Sequence, residues 1–175
     1  KAGLDPWVAP AVYNNVKNFL KTGASYNNSL NVVKAFDIGH YAFSLAATNS
    51  TGIIPATSLD RYNAKFATEL NLSEKWKAGF TGNYVNSGLS KMTGANNGVV
   101  ATFYPAPPSY DLKGIPSYVL GDPYTQNTYR GTGGFDAAYW AVENNKFTED
   151  NQRFFGNSFV QFSTKLKKKK KLILK

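Results

Sequence analysis

The clearest regularity in the chain is an alternation of apolar and polar residues between Arg61 and Tyr84. Even positions from Tyr62 to Leu72 are mostly apolar, and odd positions are mostly polar. After the short polar run Ser73-Glu74-Lys75, the alternation resumes from Trp76 to Tyr84. A period of two is typical of β-strands, because successive side chains point to opposite faces of a sheet. The pattern therefore predicts a β-hairpin with one apolar and one polar face.

A second alternation lies upstream, between Gly23 and Thr48. Its apolar face would carry Tyr26, Leu30 and Val32 before the turn Asp37-Ile38-Gly39, and Tyr41, Phe43, Leu45 and Ala47 after it. Asp and Gly favour tight turns, so this segment predicts a second hairpin.

Apolar residues at helical spacing precede this hairpin, namely Val12, Val16, Phe19 and Leu20. Pro10 stands where a helix can begin, and Gly23 follows its end. We expect a short amphipathic helix whose apolar stripe packs on neighbouring protein.

The connections between these elements alternate in length, with a medium one at 49–60 and a very long one at 86–151. A strand resumes at Arg153 to Phe162, and a turn near Thr164 to Lys168 would lead into a further strand. The predicted organisation is an external loop and helix at 1–22, two hairpins at 23–85, a long external loop at 86–151, and a strand with the truncated start of the next at 152–175. Outer-membrane barrels alternate short and long connections in this way, and structureless loops of this length are uncommon in compact soluble domains.

Two all-β architectures fit the pattern. The first is a segment of about six antiparallel strands from a transmembrane β-barrel, whose strands need roughly 9–11 residues when tilted. Tyr62 and Tyr84 at one end of the apolar face, and Trp76 near the turn, resemble the aromatic belts of such barrels. The second is a soluble or surface-attached carbohydrate-binding β-sandwich, in which a second sheet would cover the apolar face.

Composition excludes several kinds of site. The 175 residues contain no cysteine and a single histidine, which excludes disulfides, thiolate chemistry and multi-histidine metal centres. The formal charge is +9, but seven lysines lie between Lys165 and Lys175, and the remainder carries only +2. We therefore expect no nucleic-acid surface, no catalytic residues, no metal and no cofactor. Because the chain begins at Lys1 and ends in a lysine-rich run, we expect a fragment of a longer protein.

Aromatic residues crowd the long connection, and they are the candidate substrate contacts. Flat amphipathic rings can stack on sugar faces or cover peptides, although they can equally pack a loop onto itself. The candidates are Tyr110, Tyr118, Tyr124, Tyr129, Tyr139 and Trp140. The carboxylates of the same region show no spacing that requires an acid–base pair, so an outer-membrane enzyme lacks candidate residues.

Several short motifs occur in an order that resembles SusC/RagA-type TonB-dependent outer-membrane transporters. They run from about Asp5 to Phe162. The motifs are Asn15-Val16-Lys17-Asn18-Phe19-Leu20-Lys21-Thr22-Gly23, Gly52-Ile53-Ile54-Pro55, Leu59-Asp60-Arg61-Tyr62-Asn63, Pro107-Pro108-Ser109-Tyr110-Asp111-Leu112, Ala138-Tyr139-Trp140 and Arg153-Phe154-Phe155-Gly156-Asn157.

The resemblance implies a 22-stranded barrel in the outer membrane of a Gram-negative bacterium, in contact with lipid. It implies import of an oligosaccharide or peptide, a SusD-like lipoprotein as a lid, and energy relayed by TonB through a plug domain that is missing from this chain. The tail from Lys165 matches no motif, so the resemblance does not extend to the last strand.

Overall fold

The computed structural model describes residues 9, 11–92, 94, 98–130, 135–166 and 170–174, with 165–166 and 170–174 as backbone only. Pro10, the predicted helix start, lies outside these residues, as do parts of the lysine-rich run. Strands account for 56% of the structure and helices for 11%, and the strands are mostly antiparallel, which confirms the all-β class.

The elements follow one another in a simple order. The helices are α1 (Asn15–Phe19), α2 (Val100–Phe103) and α3 (Ala138–Asn144). The strands are β1 (Ala24–Phe36), β2 (Gly39–Thr51), β3 (Ser58–Asn71), β4 (Trp76–Met92), β5 (Tyr118–Val119), β6 (Asp122–Gln126), β7 (Lys146–Leu166) and β8 (Lys170–Leu174). One sheet has the order β1-β2-β3-β4-β7-β8, and β5 and β6 form a separate two-stranded sheet.

Both predicted hairpins are present, but the strands extend beyond their predicted limits. Strand β2 continues to Thr51 and β3 begins at Ser58, so the connection between them is shorter than the predicted residues 49–60. Strand β4 continues to Met92, and β7 already begins at Lys146, so the connection between them is shorter than residues 86–151. The segments added to β4 and β7 carry only isolated apolar residues, namely Leu89, Met92 and Phe147, and a hydrophobic alternation cannot reveal such a strand. Strand β8 supplies the further strand that the end of the chain predicts.

The apolar face of the large sheet is where the alternating rings meet. Phe43, Phe66, Phe80, Tyr84 and Phe154 line one shallow hollow of about 200 Å³. The Phe66 and Phe80 rings lie 6.4 Å apart, and they remain 41% and 43% exposed. These rings are therefore not enclosed in a core between two sheets.

The opposite face of the sheet is held by polar cross-strand pairs. Lys77 and Glu69 form an ion pair between β4 and β3. The hydroxyls of Ser25 and Ser50 are 2.7 Å apart, and Thr48 donates a hydrogen bond to Asn27 Oδ1 at 2.7 Å. Because opposite residues of neighbouring strands share a face, these pairs match the polar positions of both alternations.

The chain divides into two compact units. Unit 1 contains 1–24, 51–58 and 89–148, and unit 2 contains 25–50, 59–88 and 149–175. The medium and long connections therefore belong to one unit, whereas the short turns at 37–38 and 72–75 belong to the other.

The core of unit 1 forms around α1. Phe19 is 1% exposed, and its ring stacks on Phe103 at 4.5 Å and meets Tyr139 edge-on at 5.1 Å. Packing of this helix on neighbouring protein was predicted and is confirmed. The helix begins later than Pro10 would place it, because Asn14 caps it by accepting a hydrogen bond from the backbone N–H of Lys17 at 3.0 Å.

Candidate functional site

The predicted contact residues lie in the connection between β4 and β7, which is folded around two polar anchors, one buried and one half-buried. The first is Asn15 on α1, which is 4% exposed. Its Nδ2 donates to the carbonyls of Pro107 at 3.1 Å and Tyr110 at 2.9 Å, and its Oδ1 accepts from the backbone N–H of Leu112 at 3.2 Å. A single side chain thereby fixes the proline-rich segment to residues more than 90 positions earlier in the sequence.

The second anchor is Asp136, just before α3. Its carboxylate accepts from Gln126 Nε2 at 2.8 Å and from Asn145 Nδ2 at 2.7 Å, while its carbonyl accepts from Thr102 Oγ1 at 2.8 Å. Gln126 also accepts from the backbone N–H of Ala137. The carboxylate therefore joins the end of β6 to both ends of α3, and it serves as a structural acceptor.

Four of the six candidate rings are engaged within unit 1. The Tyr110 and Tyr129 rings lie 5.4 Å apart, and the Tyr129 hydroxyl donates to the carbonyl of Thr102 at 2.5 Å. The Tyr139 hydroxyl donates to the carbonyl of Asn18 at 3.2 Å, and Trp140 Nε1 donates to that of Pro123 at 3.0 Å. These contacts join the connection to α1, to α2 and to itself.

The environment of the tyrosines keeps their phenols protonated. Burial raises the pKa of Tyr110. Burial also raises the pKa of Tyr129, although the Arg130 charge opposes it, and burial followed by the Asp111 charge raises the pKa of Tyr139. A phenol with a raised pKa acts as a hydrogen-bond donor near neutral pH and is a poor general base.

The remaining two candidates lie on the β5–β6 hairpin, which projects its side chains into solvent. Tyr118 is 39% exposed and Tyr124 is 88% exposed, and Leu120 between them is 96% exposed. Gly121 turns the hairpin with φ +86°, a conformation that glycine adopts without strain. Asp122 then accepts from Thr125 and from the backbone N–H of Tyr124, and these bonds lower its pKa.

We call Tyr118, Val119, Leu120 and Tyr124 the hairpin tip. Its Tyr118 and Tyr124 rings are exposed, as is that of Tyr104 elsewhere in the connection, and an exposed ring is what stacking on a sugar or covering a peptide requires. The sequence alone does not single out Leu120, because a lone leucine in a loop belongs to no periodic pattern.

The parts of the chain that the structure describes contain no cluster of potential metal ligands. There, no group of three or more His, Asp or Glu side chains could hold a metal ion. The three described helices are 5, 4 and 7 residues long, and none is long and apolar enough to cross a membrane.

The apolar face of the large sheet has distinct ends. At one end, Asn49 Nδ2 donates to Asp60 Oδ1 at 2.7 Å and to the Tyr62 hydroxyl at 3.1 Å. At the other end, the Trp76 and Phe162 rings lie 4.8 Å apart. Amphipathic rings therefore border an aliphatic and phenylalanine-rich middle.

Comparison with known proteins identified no relative of this chain. No protein-family model matches the chain, and no curated protein sequence matches it significantly. The resemblance to SusC/RagA-type transporters rests on its ordered short motifs.

Proposed function

We propose that this chain forms part of the barrel wall and the external loops of an outer-membrane nutrient importer that resembles the SusC/RagA type. In this role the large sheet would face lipid on its apolar side. Unit 1 would meet an incoming oligosaccharide or peptide and would contact a SusD-like lipoprotein. The segment itself does no covalent chemistry, and the energy of import would come from TonB through a plug domain.

The observation that carries the proposal is an ordered apolar face that remains uncovered. Phe66 and Phe80 pair across β3 and β4 while staying more than two-fifths exposed. Monomeric soluble proteins rarely leave large contiguous apolar patches in water, so a large uncovered face points to a membrane or a partner. The opposite face supports the membrane alternative, since its cross-strand ion pair and hydroxyl pairs suit a wet lumen.

The dimensions of the face support the same assignment. Trp76 and Tyr84 border it on β4, eight residues apart. At a rise of roughly 3.3 Å per residue and a tilt of roughly 40°, their Cα atoms are separated by roughly 20 Å along a membrane normal. With the reach of the two rings added, the band approaches the roughly 25 Å apolar height of outer-membrane barrels.

A second hollow in the face is of a kind that an acyl chain could fill. It has a volume of about 430 Å³, and small side chains form its floor between larger ones. Leu30, Leu45, Ala47, Tyr62, Ala64 and Tyr84 are among its lining residues.

The proposed substrate contact is the hairpin tip. We expect replacement of residues 118–126 in the complete transporter by a short glycine–serine linker to impair uptake or lipoprotein docking and to leave membrane insertion intact. The matched control is Tyr110→Phe, which keeps a packed ring of the same connection. Loss of insertion would give the hairpin a structural role, and unchanged uptake together with unchanged docking would remove the tip from the proposed site.

The rival function is a carbohydrate-binding β-sandwich, which also uses exposed aromatic rings. It requires the apolar face to be buried by a second sheet. A chain that is monodisperse in plain buffer, binds an oligosaccharide there and protects Phe66 from solvent would establish this alternative and contradict the transporter proposal.

A further inference from the structure

Unit 1 contains a polar cavity on the side of the β2–β3 connection, separate from the hairpin tip. Its volume is about 450 Å³. Two lysines, Lys21 and Lys146, line it together with the hydroxyl residues Thr22, Thr51 and Ser58. We propose that this cavity binds an oxyanion, such as the carboxylate or sulfate group of an acidic ligand. The inference does not depend on the transport role, because it rests on the donors and charges of the cavity alone.

The residues that line the cavity carry positive charge and no carboxylate of their own. In the described part of the chain, neither Lys21 nor Lys146 forms an ion pair. Two lysines that line one cavity favour an anionic occupant, because their positive charges attract it.

The other described carboxylates of unit 1 are committed elsewhere. Asp111 accepts from the backbone N–H of Gly114 at 2.9 Å, and Asp122 accepts from Thr125 at 2.6 Å. Asp136 holds Gln126 and Asn145, and Glu143 accepts from Ser117 at 3.2 Å. These groups stabilise the fold of the connection.

The hydroxyl groups of the cavity divide into two kinds. Thr57 and Ser90 donate to the carbonyls of Ile54 at 2.7 Å and Ala56 at 2.8 Å, so their protons are used within the protein. Thr51 accepts from the backbone N–H of Ala24 at 3.3 Å, which leaves its proton available.

The side-chain hydroxyls of Thr22 and Ser58 have no hydrogen-bond partner among the residues that the structure describes. Three hydroxyl donors therefore accompany the two ammonium groups. Ammonium and hydroxyl donors match the chemistry of an oxyanion, whose oxygens only accept hydrogen bonds.

One wall of the cavity is a strained and well-held turn. Ala56 has φ +61°, in the left-handed region that costs a non-glycine residue about 1 kcal/mol or more. The turn is closed by the bond from the backbone N–H of Thr57 to the carbonyl of Ile54 at 3.3 Å, and Pro55 restricts its backbone. Strained backbone that several contacts hold in place is common at binding sites, and it gives this cavity a preformed wall.

The test is a titration of the whole chain, followed by the amide NMR shifts of Thr57 and Ser58 at constant ionic strength. The probes are sodium sulfate, sodium glucuronate and a neutral glucose control, in whichever medium keeps the chain monodisperse. We expect saturable shifts with the two anions and none with glucose. Equal affinity for sulfate and glucuronate indicates a site for the charge alone, and stronger binding of glucuronate indicates recognition of an acidic sugar.

Variants separate a built site from general charge. We expect Lys21→Gln and Lys146→Gln each to weaken anion binding about tenfold, since each removes one charged donor. Lys113→Gln is the matched control, because Lys113 is an exposed lysine of unit 1 that does not line the cavity. Circular dichroism would verify that each variant is folded. The inference would be overturned if neither anion gave saturable shifts, or if Lys113→Gln weakened anion binding as much as the two cavity variants.

Discussion

Replacing Asn15 by alanine should loosen the whole aromatic connection, although the residue lies far from it in sequence. The substitution leaves the carbonyls of Pro107 and Tyr110 and the N–H of Leu112 without their partner in a site that is 4% exposed at Asn15. Each such bond contributes about 1 kcal/mol net, so we expect a loss of about 3 kcal/mol in the free energy of local unfolding. That loss corresponds to an increase of about a hundredfold in the open population of unit 1.

Amide hydrogen exchange measures this opening directly. The N–H of Phe103 bonds to the carbonyl of Val99 at 3.1 Å, and that of Ile115 bonds to Asp111 at 3.1 Å. Neither amide contacts Asn15, so both report on unit 1 rather than on the lost bonds. We expect both to exchange about a hundredfold faster in Asn15→Ala.

Asn18→Ala is the matched control, because Asn18 lies on the same short helix with an exposed side chain. It should change these exchange rates little. If Asn15→Ala exchanges as slowly as Asn18→Ala, water replaces the lost partners, and Asn15 is not the anchor of the connection.

Three further predictions concern the large sheet. In a complete barrel, Phe66→Arg should lower the free energy of unfolding by about 2–4 kcal/mol in urea titrations in lipid vesicles, whereas Lys65→Arg on the opposite face should change it little. Gly79→Ala would place a Cβ against the Phe159 ring and should lower the melting temperature. Adding Phe159→Leu should recover part of that loss. An unchanged melting temperature in Gly79→Ala would mean that the ring moves aside freely. Produced alone, the chain should be insoluble or require detergent, because β1 and β8 leave the edges of the sheet unpaired; a cooperatively melting monomer in plain buffer would contradict the barrel assignment.

The sequence was sufficient to predict the hairpins because their apolar and polar faces differ sharply. The alternation through Phe66 and Phe80 places both rings on one face, and their ring contact matches that register. The alternation did not predict the end of β4 at Met92 or the start of β7 at Lys146, since these segments have no regular contrast between apolar and polar faces. The short elements α2, β5, β6 and α3 carry too few residues for a period to emerge.

The candidate rings could be listed from the sequence but not ranked. The sequence around a packed tyrosine does not differ from the sequence around an exposed one in the same loop. The difference between Tyr129 and Tyr124 arises from distant residues, since Thr102 accepts the hydroxyl of one while the hairpin holds the other in solvent. The cavity of Lys21 and Lys146 was not foreseen for the same reason, because more than 120 residues separate the two lysines.

The central claim is that the apolar face of the large sheet meets lipid, and single cysteines along β3 test it most directly. The natural chain has no cysteine, so each new one carries a single spin label. In phospholipid micelles, we expect labels at 62, 66 and 70 to collide with oxygen, which concentrates in lipid, and labels at 61, 65 and 69 to collide with a water-soluble nickel complex. Labels at the even positions that are shielded from both probes would place that face in a protein core and would contradict the account.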